Sequence, residues 1–188
     1  MAELAWDRST MLAGTVAFLA VERTFELALS HRNLTRLRAS GAAHEASSGA
    51  AEYALMVAVH TLFLFCPLLE VKLRGMRGPD SLALAGIAAI AAAQVLRWWT
   101  IRTLGLRWNA RAVVAPSLGV VHGGPYRFLR HPNYLAVMVE FAALPLVGGT
   151  WLGGGAIFLA NTWLLARRRR QEEELLARIP GWREGFER

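Results

Sequence analysis

A chain of 188 residues leaves room for one domain and not for a large second one. Its apolar fraction, 54%, and mean hydropathy, +0.31, exceed those of an ordinary soluble domain, and the apolar residues are clumped into runs about as long as a bilayer needs. The formal net charge of +7 rests on Arg residues beside those runs, a pattern of cytoplasmic membrane flanks that argues against a nucleic-acid partner. Cys66 is the single cysteine, so neither an intrachain disulfide nor a cysteine metal cluster can form, and its apolar setting makes it a small packed hydrophobe. The Ala-, Gly- and Arg-rich composition, with one Lys, looks bacterial.

The first apolar run, about 10–29, lacks a basic leader and a small-residue cleavage site and reads as a retained span. It carries Glu22, Arg23 and Glu26, at helical spacings that permit an internal ion pair; a ligand role is the other reading left open. A polar connector, 31–49, is expected next, with Arg32, Arg36 and Arg38. The second span, about 52–71, contains His60, read as an interhelical hydrogen-bonder. After a short basic loop, 72–79, the third span, about 82–99, opens Ala-rich, which favours close packing, and ends in Gln94, Arg97, Trp98 and Trp99. Residues 100–122 are too polar to span; Val113, Val114 and Ala115 predict an interfacial or re-entrant, strand-like piece buried in protein.

The segment Gly124-Pro125-Tyr126-Arg127-Phe128-Leu129-Arg130-His131-Pro132-Asn133-Tyr134 follows. Each Pro removes a backbone donor and disfavours helix before it, so a shaped turn is predicted. Two more apolar legs, about 133–148 and 150–166, predict a helical hairpin. Glu140 lies inside the first leg, where a carboxylate is costly without a partner or a site. The second leg should continue into water through Arg167–Arg170 and Glu172–Glu174, with Arg169 and Glu173 four apart on one face, before a short tail of Pro180, Gly181 and Trp182. Lys and Arg counting over five spans predicts a cytoplasmic C-terminus and an outside N-terminus. The fold predicted is all-α and integral to the membrane, with about five transmembrane helices, an interfacial or re-entrant segment and a cytoplasmic C-terminal helix. The location is multi-pass in a bacterial inner (plasma) membrane.

The chain has no dinucleotide or phosphate glycine loop, no His-Glu-x-x-His and no Gly-x-Ser-x-Gly, and of its His residues only His122 and His131 are close in sequence, so no metal site is expected. What remains is a polar pocket with Tyr126, Arg130, His131, Asn133 and Tyr134 on one wall and Glu173 on the other. Such groups suit a nucleoside cofactor entering from the cytoplasm. An interfacial turn with aromatic anchors is the equally simple structural reading.

The Gly-Pro-Tyr-Arg-Phe-Leu-Arg-His-Pro-Asn-Tyr motif, the hairpin and the Arg-x-x-x-Glu-Glu helix closely resemble the isoprenylcysteine carboxyl methyltransferase family, chiefly over 94–176. The N-terminal half, with Glu22-Arg23, Ser30-His31-Arg32-Asn33 and Glu52-Tyr53, is similar to a bacterial branch that includes O-methyltransferases of alkylpyrones and phenolic lipids. The resemblance implies a single membrane methyltransferase domain using S-adenosyl-L-methionine, with S-adenosyl-L-homocysteine as product and a cofactor-binding part at about 108–176. Leu118, Gly119, Val120 and Val121 would line the adenosine site through their backbone. Val113 would be an upstream contact. Tyr126, His131, Pro132, Asn133 and Tyr134 would hold the cofactor, and Glu173 its polar end. Arg169 would face the substrate. A carboxylate or acidic enol needs no strong base; a phenol does, with His131 or Glu140 as candidates. Arg130 or Arg169 would steady the substrate anion.

The partners expected are a lipophilic acceptor entering from the bilayer and membrane lipids, with no obligate protein partner. An NADPH-dependent sterol-type reductase and a non-catalytic membrane scaffold are the alternatives. The first shares the pattern of the C-terminal half; the second would merely retain the turn.

Overall fold

The computed structural model describes residues 7–45, 49–177 and 179; the expected tail at Pro180, Gly181 and Trp182 lies outside the described residues. Within them, five helices dominate: α1 (Arg8–Ala39), α2 (Gly49–Arg74), α3 (Asp80–Leu104), α4 (Pro132–Gly148) and α5 (Trp151–Leu176). Two two-residue strands, β1 (His44–Glu45) and β2 (Val113–Val114), pair antiparallel, with His44 opposite Val114 and Glu45 opposite Val113. The strand-like piece predicted around Val113 is therefore present, and Val113, Val114 and Ala115 are buried.

The expected connector after residue 30 is corrected: α1 continues ten residues beyond the predicted end. Ser30, Asn33, Leu34 and Leu37 recur at helical spacing and are all buried. Leu34 and Leu37 pack against Val113 and Ala115, and Asn33 Nδ2 donates to the carbonyls of Trp108 (2.8 Å) and Gly105 (3.1 Å). What looked like a polar loop is one helix that turns Ser30 and Asn33 onto a neighbouring segment and leaves Arg32, Arg36 and Arg38 exposed. α3 likewise runs past the expected end, to Leu104, with the Thr100 and Thr103 hydroxyls satisfied on the carbonyls of Leu96 and Trp99 of their own helix, each at 2.8 Å.

Residues 50–74 and 80–107 are long and apolar enough to cross a membrane, and only 22% and 33% of their most apolar stretches are buried in the protein. Exposed Phe65, Leu69, Leu84 and Val95 continue that apolar exterior, which needs lipid around it. The Ala-rich start of α3 does pack closely: a Cβ on Gly86 would sit 2.8 Å from the Ala143 carbonyl of α4. Gly149 closes the α4–α5 hairpin with a left-handed φ of 66°. The core between the helices includes Leu12, Leu19, Phe63, Phe141 and Leu144, with the rings of Phe63 and Phe141 stacked at 4.0 Å.

The charges buried between the helices pair with one another. Glu140 is fully buried; its Oε1 accepts from Arg97 Nη2 at 2.7 Å, Arg97 Nε at 3.0 Å and Gln94 Nε2 at 3.0 Å, and its Oε2 pairs with Arg23. Glu26 meets Arg23 at 2.6 Å and Arg97 at 3.2 Å, while Trp98 Nε1 donates to Glu22 at 2.8 Å. Of the two readings left open for Glu22, Arg23 and Glu26, internal pairing is the one realised. The network ties α1, α3 and α4 together. His60 departs from its expected interhelical bond: Nδ1 donates within its own helix to Met56 O at 2.9 Å, and the ring meets Phe141 edge-on at 5.0 Å.

Candidate functional site

Two prolines shape the turn that opens the site. Pro125 starts a 3₁₀ turn over Gly124–Arg127, closed by Phe128 N and Leu129 N donating to its carbonyl at 3.1 and 3.0 Å. Pro132 occupies the first position of α4, where no backbone donor is needed, and the His131 carbonyl receives Tyr134 N and Leu135 N at 3.1 and 3.2 Å. The chain thus enters α4 with His131 and Tyr134 on one side, their rings stacked at 5.2 Å.

The last turns of α5 pass directly across that face. His131 Nε2 lies 2.8 Å from Glu173 Oε1, and the Tyr134 hydroxyl donates to Glu172. Arg169 Nε sits 3.7 Å from Glu173 Oε1, and the Arg168 guanidinium lies over the Tyr134 ring at 6.0 Å. Burial, aided by the Glu172 carboxylate, pushes the Tyr126 phenol well above its ordinary value, so it remains a neutral donor near pH 7.

Two chambers meet at this junction. The polar one is walled by Arg107, Trp108, Val113, Gly119, Val120, Val121, Tyr126, Arg130, His131, Asn133, Tyr134, Arg168 and Glu172, with Leu176 and Ile179 at its end. The apolar one lies between α1, α2, α4 and α5, lined by Leu27, Met56, Val57, His60, Thr61, Leu64, Val137 and Leu165, with Arg23, Glu26 and Arg97 as its charged wall. Asn133, Tyr134 and Arg168 border both. Leu27 and Thr61, both exposed, mark the mouth of the apolar chamber on the α1–α2 side.

Most of the sequence-predicted site residues converge here. Val113, Gly119, Val120, Val121, Tyr126, Arg130, His131, Asn133 and Tyr134 all wall the polar chamber. Leu118 does not; its carbonyl accepts from Arg107, which does. Pro132 starts α4 rather than facing the cavity. Glu173 stands at the rim through His131, and Arg169, with 56% of its side chain exposed, touches the site only through Glu173. Glu140 is taken out of the list of free bases, since both its oxygens are held in the ion network.

The residues missed are Arg107, Arg168 and Glu172. Arg168 and Glu172 were within reach: Arg-x-x-x-Glu fits 168/172 as well as 169/173, and residues 168, 172 and 176 share one helix face. Which register faces inward depends on how α5 packs, which no local pattern encodes.

The polar chamber holds groups that lack a partner among the described residues: Trp108 Nε1 and Arg107 Nε as donors and Asn133 Oδ1 as acceptor, all buried. A buried polar atom left unpaired is costly, so such a set fits a polar ligand carrying both donors and an anionic group.

A family profile described as "Isoprenylcysteine carboxyl methyltransferase (ICMT) family" matches residues 85–178, and the "uncharacterized protein YpbQ" of Bacillus subtilis (strain 168) is 31% identical over 161 residues, covering 86% of this chain and 94% of that protein. The chain belongs to the isoprenylcysteine carboxyl methyltransferase family. Membership in this methyltransferase family, together with the apolar exterior of α2 and α3, makes it a membrane methyltransferase. The profile for the isoprenylcysteine carboxyl methyltransferase family covers α4, α5 and the turn before them, hence both walls of the polar chamber. The first two helices, which supply much of the apolar chamber, fall outside that stretch.

Proposed function

We propose that this protein methylates an oxygen of a lipophilic acceptor at the membrane–cytosol interface, with S-adenosyl-L-methionine as donor. The observation that carries the reading is the shared wall: Asn133, Tyr134 and Arg168 separate a polar chamber with unpartnered buried groups from an apolar chamber that opens between α1 and α2. The donor would be held by Tyr126, His131, Asn133 and Glu172, with the backbone of 119–121 beside the adenosine. Glu172 would accept from its ammonium, and Arg107 and Trp108 would donate to its carboxylate. The cofactor supplies a sulfonium methyl, electrophilic enough for direct in-line transfer.

The chain's own contribution is alignment and exclusion of water, and holding two reactants in line can contribute about 7–11 kcal/mol. Arg168, on the border of both chambers, is placed to steady an acceptor oxygen by a charge-assisted hydrogen bond. The Arg-rich end of the bundle, with Arg107, Arg130 and Arg167–Arg170, would face the cytoplasm of a bacterial inner membrane, with all five helices crossing.

Calorimetry on the purified protein tests the donor: S-adenosyl-L-homocysteine should bind and NADPH should not. Methyl-labelled S-adenosyl-L-methionine with long-chain phenols, enols and carboxylates tests the acceptor. No nucleoside binding and no transfer would refute the reading and favour a non-catalytic role; NADPH binding would favour the reductase.

A further inference from the structure

One wall of the polar chamber is the end of α5, where the helix has little to fix its rotation. From Ala166 to Leu176 none of its residues is buried, so no apolar side chain locks these last turns against the bundle. Rotation matters there: one residue, about 100°, separates 168 and 172 from 169 and 173. Two contacts at this end belong to the site itself, Tyr134 with Glu172 and His131 with Glu173. A ligand that engages Glu172 competes with Tyr134 for the same carboxylate.

α2 supplies contacts that leave the site free. Glu52, in its first turn, receives two donors from α5 on a single carboxylate oxygen: Oε1 lies 2.5 Å from Arg167 Nε and 2.7 Å from Gln171 Nε2. Residues 167 and 171 are one turn apart, so this clasp grips one face of α5 at two points and opposes its rotation. Met56, one turn further along α2, brings its sulfur 2.7 Å from Arg168 Nη1. Glu52 itself lines neither chamber. Its side chain is 14% exposed against 54% for Arg167, and a half-exposed ion pair adds little to stability, so the value of the clasp lies in orientation.

We infer that Glu52 is a positioning residue for methyl transfer: by clasping Arg167 and Gln171 it sets the rotation of α5 and turns Arg168 and Glu172 toward the chambers. The inference rests on the donor reading above. It gives α2, which lies outside the family-matched stretch, a part in holding the donor as well as in walling the acceptor. Because one oxygen takes both donors, the clasp needs an acceptor atom at position 52 rather than a full negative charge.

The test uses the full-length protein in lipid nanodiscs, with S-adenosyl-L-homocysteine affinity read by calorimetry. Glu52→Ala should weaken binding about 3–10-fold, the worth of one hydrogen bond to the ligand, while Tm stays within a few degrees of wild type. Glu52→Gln, which keeps an acceptor oxygen, should bind within about twofold of wild type. Glu52→Ala combined with Glu172→Gln should lose less affinity than the product of the two single losses, because a Glu172 already turned away has little left to lose. Arg167→Ala with Gln171→Ala removes the clasp from the other side; it should give the same loss, and it carries the same cycle with Glu172→Gln should Glu52→Ala not fold. Wild-type affinity in Glu52→Ala would overturn the inference. So would Glu52→Gln binding as weakly as Glu52→Ala, or losses that multiply in full in the combined variant. A wild type that binds no S-adenosyl-L-homocysteine would instead remove the donor reading.

Discussion

Two sets of carboxylates, one buried and one half-buried, sit in this protein, and they have opposite fates. Glu140, in the middle of α4, has both oxygens occupied by Arg23, Arg97 and Gln94. Glu172 and Glu173, at the end of α5, meet Tyr134, His131 and Arg169, beside groups of Trp108, Arg107 and Asn133 that no described residue satisfies. A carboxylate whose lone pairs are all used holds helices together; one with capacity left beside unpaired donors is placed to hold a ligand.

The largest expected effect comes from breaking the closed set. Arg97→Ala leaves Glu140 and Glu26 to share Arg23 as their one remaining arginine among the described residues and should cost about 3–5 kcal/mol, read as a fall in Tm in detergent. A Tm within a few degrees of wild type would mean that the network does not hold the fold. Glu172→Gln should come next: the thermal midpoint stays near wild type while S-adenosyl-L-homocysteine affinity drops about tenfold or more, about 1.4 kcal/mol by calorimetry. A drop in Tm without loss of affinity would put Glu172 with Glu140.

Tyr134→Phe removes one hydroxyl donor from the open set. It should weaken nucleoside binding by about 0.5–1.5 kcal/mol and leave stability unchanged. The smallest effect is expected at Arg169→Ala, since an exposed i,i+4 pair contributes about 0–1 kcal/mol; affinity and Tm should both stay near wild type. If Arg169→Ala instead weakens binding more than Arg168→Ala, the inward register of α5 is 169/173.

Much of the open site was legible because its signals are local. Two prolines at set positions make a turn and a helix start wherever they sit, and an Arg/Glu run after an apolar leg reads as a helix leaving a membrane. The residues predict that Glu173 and His131 face one ligand from opposite walls; in the structure, 42 residues apart in sequence, they lie 2.8 Å from each other. Less legible was α1 beyond residue 30, where Arg32, Arg36 and Arg38 look like loop polarity until Asn33, Leu34 and Leu37 are seen docked on 105–115. His60 was legible as a hydrogen-bonding histidine in an apolar helix but not as one bonded to its own helix, because the residue type does not reveal which nitrogen is engaged.

The amino-acid sequence by itself determined the helices, the hairpin, the shaped turn and the family, since hydrophobic runs, prolines and the motif are properties of neighbours along the chain. Tertiary structure alone decided three things: that Glu140 is neutralised rather than available, that Arg168 and Glu172 line the polar chamber while Glu173 stands at its rim beside His131, and that His60 lines the apolar chamber. Each depends on which face of one helix meets another. A rotation of about 100° per residue separates facing the cavity from facing solvent, so only packing between distant segments can set it.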